Sequence, residues 1–208
     1  MLKIIALALT LLAGCSLASG NMQTKDSNDL ESRRIKRIAV IPPEITTAAA
    51  SVPAHNDPPE MLAKQLYSAM ASLPNWQIVA ESEVKQVEQM KPGITDAARL
   101  RQIGELVFAD AVMVGRVLRF RERIGDDWGV KSPASVAFVL DLIDVRRGDV
   151  IWSARFDETQ KALSENIFGL GDIGQRGVRW LSAEQLMMDG VKKAVGQLHQ
   201  ILARSASS

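Results

Sequence analysis

The stretch ASVAFVLDLIDVRRGDVIWSARF, residues 134–156, decides the fold. Two apolar runs, residues 134–145 and 150–156, flank the tetrapeptide RRGD, in which Gly148 favours a tight turn. Alternating positions of the second run are predicted to share one face of a strand: Val150, Trp152, Ala154 and Phe156. Apolar alternation on both sides of a glycine-containing turn predicts an antiparallel β-hairpin.

Three further strands are predicted before this hairpin. They are IKRIAVIPP at residues 35–43, WQIVA at residues 76–80 and AVMVGRVLRF at residues 111–120. Each is a short apolar run rich in β-branched residues and bounded by turn or polar residues. In the last of them, one face is predicted to carry Val112, Val114, Leu118 and Phe120.

Helices are predicted between and after the strands. Asp57 is placed to cap a helix that starts at Pro58 and carries Glu60 three residues after the cap. Residues 81–90 and 96–107 are predicted to form two shorter helices, separated by the breaker Lys-Pro-Gly. A long amphipathic helix opens at Ser182, with Gln185 completing a capping box.

The order of these elements predicts an α/β (α+β) fold. Early strands are joined by helices and late strands by a hairpin, so the economical arrangement is a mixed β-sheet of about five strands covered by helices. The hairpin is expected late in the chain, and the last predicted element is the C-terminal amphipathic helix.

The single cysteine of the chain, Cys15, closes the first apolar run. Residues 1–14 have the charge, apolar run and small residues of a signal peptide, and the run is too short to span a membrane. LAGC at residues 12–15 resembles the lipobox of bacterial lipoproteins. That resemblance implies lipidation of Cys15, and Ser16 after it implies sorting to the outer membrane, with the inner membrane as the alternative.

Four segments are expected. Residues 1–14 are the signal peptide, residues 15–33 a lipidated cysteine with a flexible tether, residues 34–204 one periplasmic α/β domain, and residues 205–208 a tail. Residues 16–32 predict a tether because they are polar and lack a helical or strand period.

Charge and motifs exclude several functions. Lys and Arg number 25 against 24 Asp and Glu, and a nucleic-acid binder would show a basic stripe that this chain lacks. The cluster SRRIKR at residues 32–37 is interpreted as a solvated approach to a strand, with anionic lipid or peptidoglycan contact as the alternative. No nucleic-acid partner is expected.

No motif predicts catalysis, a metal or a cofactor. The glycines at 169, 171 and 174 match G-x-G-x-x-G, but no strand precedes them. His55 lies near Asp57 and Glu60 without a second nearby histidine, and a metal site needs more ligands. His199 is predicted near the end of the last helix, where a positive or hydrogen-bonded imidazole interacts favourably with the helix dipole. Asp126 and Asp127 are interpreted as the polar tip of a hairpin. The chain is therefore expected not to be an enzyme.

Four segments carry a resemblance to a known family of envelope domains: IAVIPP, IVAESEV, the Asp110-Ala111 pair leading into VMVGRV, and LDLIDVRRGDVIW. Their arrangement resembles the periplasmic α/β domain shared by the lipoproteins CsgG and LpoB and the amino-terminal domain of TolB. The resemblance implies a non-enzymatic, partner-binding role in the cell envelope.

The expected function is that of a lipid-anchored accessory module that helps assemble or regulate an envelope complex for secretion, peptidoglycan synthesis or motility. Its partners would be membrane lipid, through acylated Cys15, and envelope proteins, through the long loops at residues 43–56 and 163–180. The alternative is a self-associating structural subunit, a dimer or ring.

Overall fold

The computed structural model describes residues 21–45, 57–90, 97–125, 130–160 and 180–205. The helices of this part of the chain are α1 Pro58–Ala71, α2 Glu81–Met90, α3 Ala97–Leu106 and α4 Ala183–Ser205. Its strands are β1 Met22–Asp26, β2 Arg37–Val40, β3 Glu44–Ile45, β4 Gln77–Ile78, β5 Ala111–Arg121, β6 Ile124–Gly125, β7 Val130–Ser132, β8 Ser135–Asp144 and β9 Val150–Thr159.

The predicted hairpin is confirmed and lies at the centre of the sheet. β8 pairs antiparallel with β9 and, on its other side, antiparallel with β5. Gly148 turns the chain with φ +76°, a left-handed conformation that glycine adopts without a steric penalty.

The sheet is mixed, as predicted, and has the strand order β1-β9-β8-β5-β2-β4, with β3 beside β5. β2 runs parallel to both β4 and β5, and all other pairs of the path are antiparallel. The parallel pairs require helical crossovers, which α1, α2 and α3 supply. The α/β class with a helix-covered mixed sheet, a late hairpin and a C-terminal helix is therefore confirmed.

Two predictions of which residues share one face of a strand are wrong, because each of the two strands contains a β-bulge. In β5 an extra residue at Leu118 shifts the register, so that Val112 packs in one core and Phe120 in the other. In β9 an extra residue at Ile151 leaves Val150 about half exposed, at 53%, while Trp152 is buried. Each bulge inserts one residue and so moves the next side chains to the opposite face.

Helices cover the two faces of the sheet unequally. The larger core lies under α1 and α4 and includes Leu66, Leu186, Leu198, Phe138 and Phe156. A smaller core lies under α2 and α3 and includes Val84, Leu100, Ile103, Val112 and Ile143. Among the described residues, the helices on this second face therefore cover β2, the start of β5 and the end of β8.

Both predicted helix caps are confirmed. The Asp57 side chain accepts a hydrogen bond from the Glu60 backbone N–H at 3.1 Å. At α4 the Gln185 N–H donates to the Ser182 hydroxyl at 3.1 Å, and the Ser182 N–H donates to the Gln185 side-chain oxygen at 3.0 Å. These reciprocal bonds satisfy N–H groups that have no partner within the helix.

The prediction of a flexible tether over residues 15–33 is wrong for its second half. Met22–Asp26 pairs with β9 along its whole length, and Leu30–Arg33 forms a 3-10 turn. Met22 and Leu30 are both 1% exposed. Burial of these two side chains holds a segment that is otherwise polar.

Candidate partner-binding surface

One part of the sheet is covered by none of the helices in the described ranges, and it carries polar side chains in rows. Along β5, β8, β9 and β1 the paired residues form three rows on this face: Val114, Asp141, Ser153 and Lys25; Arg116, Val139, Arg155 and Gln23; Arg119, Ala137 and Asp157. Arg121, Ser135 and Thr159 form a fourth. We call these four rows the open sheet face.

Asp141 joins the first two rows. Its Oδ2 accepts from the Arg116 guanidinium at 2.7 Å, and its Oδ1 accepts from the Ser153 hydroxyl at 2.6 Å. The Arg116 side chain is 49% exposed and that of Asp141 18%. The carboxylate thus fixes the direction of an arginine that stays open to solvent.

Arg119 joins the third and fourth rows. Its Nε donates to the Ser135 hydroxyl at 2.7 Å, and its guanidinium also pairs with Asp157. The Ser135 hydroxyl lies 2.6 Å from that of Thr159, and Arg155 lies 3.5 Å from Asp157. Five side chains from three strands thus orient one another before any partner arrives.

Cations outnumber carboxylates on the open sheet face. Lys25, Arg116, Arg119, Arg121 and Arg155 lie on it, together with Asp141 and Asp157. Glu44, paired beside Arg116 on β3, adds a third carboxylate at the margin. The whole chain is nearly balanced in charge, so the excess of cations on this face comes from the position of the arginines and lysine in the fold. A positively charged face favours a binding partner with an acidic surface.

Most residues singled out from sequence motifs lie outside the described residues. These are Cys15, His55, Asp126, Asp127 and the three glycines at 169, 171 and 174. The proposed binding loops lie outside them too, apart from residues 43–45 and Trp180.

His199 lies near the end of α4 and contacts a neighbouring segment of the chain. Its ring meets the edge of Trp76, with centroids 5.5 Å apart and planes at 77°. Its Nε2 lies 3.2 Å from the Pro74 carbonyl oxygen, to which it donates. The side chain therefore packs against the connection between α1 and β4.

Arg33, predicted to lie in a solvated basic cluster, is buried instead. Only 6% of the residue is exposed. Its guanidinium donates to Asp29, Asp144 and Asp149 at 2.8 to 3.1 Å. Three carboxylates compensate the cost of removing this charge from water. The cluster SRRIKR is therefore divided between a buried ion pair and exposed neighbours.

Sequence reasoning did not identify the open sheet face. The signal available in the sequence was the recurrence of arginine at 116, 119 and 121 in a strand. The bulge at Leu118 is what brings Arg119 onto the same face as Arg116. Without the bulge the spacing of three would place them on opposite faces.

The described ranges contain no group of three or more His, Cys, Asp and Glu arranged to hold a metal ion. Within the same ranges, no helix has the length and apolar character needed to cross a membrane.

Neither a protein-family model nor a curated protein matches the chain. Its fold does occur among solved structures. The hypothetical protein CT253 from Chlamydia trachomatis is 10% identical, with a TM-score of 0.51 over 82% of this chain and 99% of that one.

Two further structures are similar at lower TM-scores. The PelC dodecamer from Paraburkholderia phytofirmans is 16% identical over 86% of this chain and 96% of that one, with a TM-score of 0.46. The LpoB C-terminal domain from Escherichia coli is 14% identical over 60% and 83%, with a TM-score of 0.44. At these identities the likeness concerns the fold alone.

Proposed function

We propose that this chain is a lipid-anchored accessory protein of the bacterial envelope that binds an acidic surface of a protein partner through its open sheet face. The observation that carries the proposal is the cationic excess of that face, where arginines are held in place yet exposed to solvent. The role is non-enzymatic, as an adaptor or regulator of an envelope complex.

The geometry of the face suits a macromolecular partner better than a small molecule. Its rows lie on strands and form a continuous surface, whereas small-molecule sites are concave. Arg116 and Arg119 are oriented by Asp141, Ser135 and Asp157, so less side-chain freedom is lost when a partner carboxylate binds. Arginine is also among the residues that most often dominate binding energy.

The lipid anchor rests on Cys15 and the lipobox that precedes it. Two or more acyl chains hold a protein at a bilayer, since each buried methylene contributes about 0.8 kcal/mol. We assign the anchor to the outer membrane on Ser16, with the domain in the periplasm. Replacing Cys15 with Ser is expected to abolish fatty-acid labelling and release the protein from membranes.

The test is site-specific photo-cross-linking in intact cells. A benzophenone amino acid placed at Arg155, on the open sheet face, is expected to capture a discrete envelope protein. The same group at Lys64 is the control, because Lys64 lies on α1, is 71% exposed and pairs with Glu60 of its own helix. Capture at Arg155 but not at Lys64 supports the proposal.

A charge reversal sharpens the test. With the benzophenone group placed at Arg121, the double variant Arg116→Glu with Arg155→Glu is expected to lose capture of the partner. The variant Lys64→Glu is expected to retain it. The folded state is monitored by thermal unfolding of each variant. Capture of a second copy of this chain alone would replace the accessory role with self-association, and equal capture from both positions would refute the proposed surface.

A further inference from the structure

A cavity of about 330 Å³ lies at the end of the sheet that carries the β8–β9 turn. It is bounded by the residues that lead into β2, the connection between α1 and β4, and the last turns of α4. The residues that matter for its chemistry are Arg34, Lys36, Asn75, Trp76, His199 and Leu202. Its size is at the lower end of the range that binds ligands. We call it the Trp76 pocket.

The interior of the Trp76 pocket is aromatic and aliphatic. The Trp76 indole N–H donates to the Met70 carbonyl at 2.8 Å, and His199 Nε2 donates to that of Pro74 at 3.2 Å. Because the Trp76 N–H and His199 Nε2 already have partners in the protein, the faces of the two rings offer a ligand apolar contact. Leu202 extends the same surface.

The rim of the pocket carries two free cations. Arg34 and Lys36 are exposed, and neither side chain has a hydrogen bond or ion pair with any residue that the structure describes. This contrasts with Arg33, whose guanidinium meets three carboxylates. A pocket with an apolar interior and an unpaired cationic rim is complementary to an apolar group beside an anion.

Backbone conformation singles out the same pocket. Three non-glycine residues of the described chain have positive φ, and two of them line this pocket: Arg34 at 48° and Asn75 at 79°. Asparagine tolerates this conformation, but arginine is disfavoured there. Arg34 occupies the position after a 3-10 turn where glycine would be free of strain, and strained residues concentrate at functional sites.

We infer that the Trp76 pocket binds a segment of a partner polypeptide in which an apolar side chain lies next to a carboxylate. The apolar side chain enters between Trp76 and Leu202. The carboxylate, from Asp, Glu or a chain end, is held by Arg34 and Lys36.

A peptide suits the pocket better than a lipid because of where the chain enters the fold, a step that rests on the proposed anchoring at Cys15. The chain from Cys15 joins β1 at Met22, opposite Phe156, and β1 then runs toward the β8–β9 turn and the pocket. Four strand residues span about 14 Å, so β1 carries the chain from its entry at Met22 to the end of the sheet where the pocket lies, away from the side on which the anchored segment joins the fold.

The test uses the full-length protein in nanodiscs of zwitterionic phosphatidylcholine. Its probes are fluorescent peptides that carry one Leu, Phe or Trp next to one Glu in a Gly-Ser background, each with a matched Gln version. Fluorescence anisotropy is expected to show binding of at least one Glu peptide, weakened at least tenfold in its Gln version. Arg34→Gln with Lys36→Gln is expected to cause a similar loss.

Lys64→Gln with Lys85→Gln is the matched control, because it removes the same charge from exposed positions on α1 and α2 that belong to neither surface. It is expected to leave peptide affinity within twofold. No binding by any Glu peptide, or binding unaffected by the change at Arg34 and Lys36, would overturn the inference. So would displacement of peptide by phosphatidylglycerol vesicles through Arg34 and Lys36, which would assign the pocket to lipid. None of these outcomes alters cross-linking from Arg155, so the proposed function is judged separately.

Discussion

The Arg33 guanidinium donates to Asp144 Oδ2 at 3.0 Å, with the two side chains 5% and 1% exposed. This buried pair joins the end of β8 to the turn that follows β1, across more than a hundred residues of sequence. Asp149 and Asp29 complete the cluster around the same guanidinium. The amino-terminal segment is therefore tied to the domain both by strand pairing and by charge.

Removing the arginine from this cluster is expected to be costly. Arg33→Met leaves Asp144 buried without its countercharge, and breaking a buried pair in this way costs about 3–5 kcal/mol. The measurement is the free energy of unfolding from urea denaturation. Arg147→Gln is the control, since Arg147 is 66% exposed and meets Asp29 at 3.2 Å. We expect the control to cost less than about 1 kcal/mol, and equal losses would contradict a special role for Arg33.

The same cluster predicts a loss of stability in acid. Burial acts to raise the pKa of Asp144, but hydrogen bonds from the Arg147 and Arg146 backbone N–H groups and from Arg33 outweigh it, and the pKa is lowered. The hydrogen bond from Arg33 also lowers the pKa of Asp149. Carboxyls with a lowered folded-state pKa add stability above their ordinary pKa, and this stability is lost as the pH falls through the folded value.

Unfolding free energies measured from pH 7 down to pH 3 are therefore expected to fall below roughly pH 4. The fall should be steeper in the wild type than in Arg33→Met, where the main cation holding these carboxyls ionised is gone. Parallel pH profiles for the two proteins would show that the carboxyls titrate normally in the fold.

Truncation of two adjacent residues of β1 is expected to have very different effects on stability. Met22 is 1% exposed in the larger core, whereas Gln23 is exposed. Met22→Ala should cost about 2–5 kcal/mol of unfolding free energy, as other buried methionines do. Gln23→Ala should change it by less than about 0.5 kcal/mol. If both substitutions had small and equal effects, residues 22–26 would belong to a flexible tether, as the sequence predicted.

Local signals explain which parts of the fold were predictable. The caps at Asp57 and Ser182 depend on residues three positions apart, and both are observed as predicted. The hairpin around Gly148 is equally local. By contrast, β1 reads MQTKD and offers one buried side chain, so no alternation marks it as a strand. Its pairing depends on β9, far along the chain.

The candidate surface was beyond sequence reasoning for a related reason. Which arginines share a face is decided by the bulge at Leu118 and by the register of β8, neither of which leaves a local signature. The Trp76 pocket likewise joins residues from positions 34 to 202. Sites made by register and by distant segments require the structure.

Two glycines of α4 form a matched pair for testing the packing of the core. A Cβ at Gly190 would lie 2.8 Å from Phe156 Cδ1 and 2.9 Å from Phe138 Cε1, whose rings are stacked and buried. Gly190→Ala should therefore cost about 1–3 kcal/mol. At Gly196 a Cβ meets nothing within 4 Å, so Gly196→Ala should add about 0.5–1 kcal/mol through helix propensity. Thermal unfolding of both variants checks the signs, and a stabilising Gly190→Ala would contradict the close approach of α4 to the rings.

The strained backbone at Arg34 predicts that stability and binding change in opposite directions. A left-handed conformation costs a residue other than glycine about 1–2 kcal/mol, and the φ of Arg34 is 48°. Arg34→Gly should therefore raise the unfolding free energy by about 1 kcal/mol while weakening binding of Glu peptides to the Trp76 pocket. Lys36→Gln is the comparison, since it removes a cation from the same rim without relieving strain. It should weaken binding with no gain in stability. A stabilised Arg34→Gly that binds peptide as well as the wild type would mean that the strained arginine serves neither the fold nor the pocket.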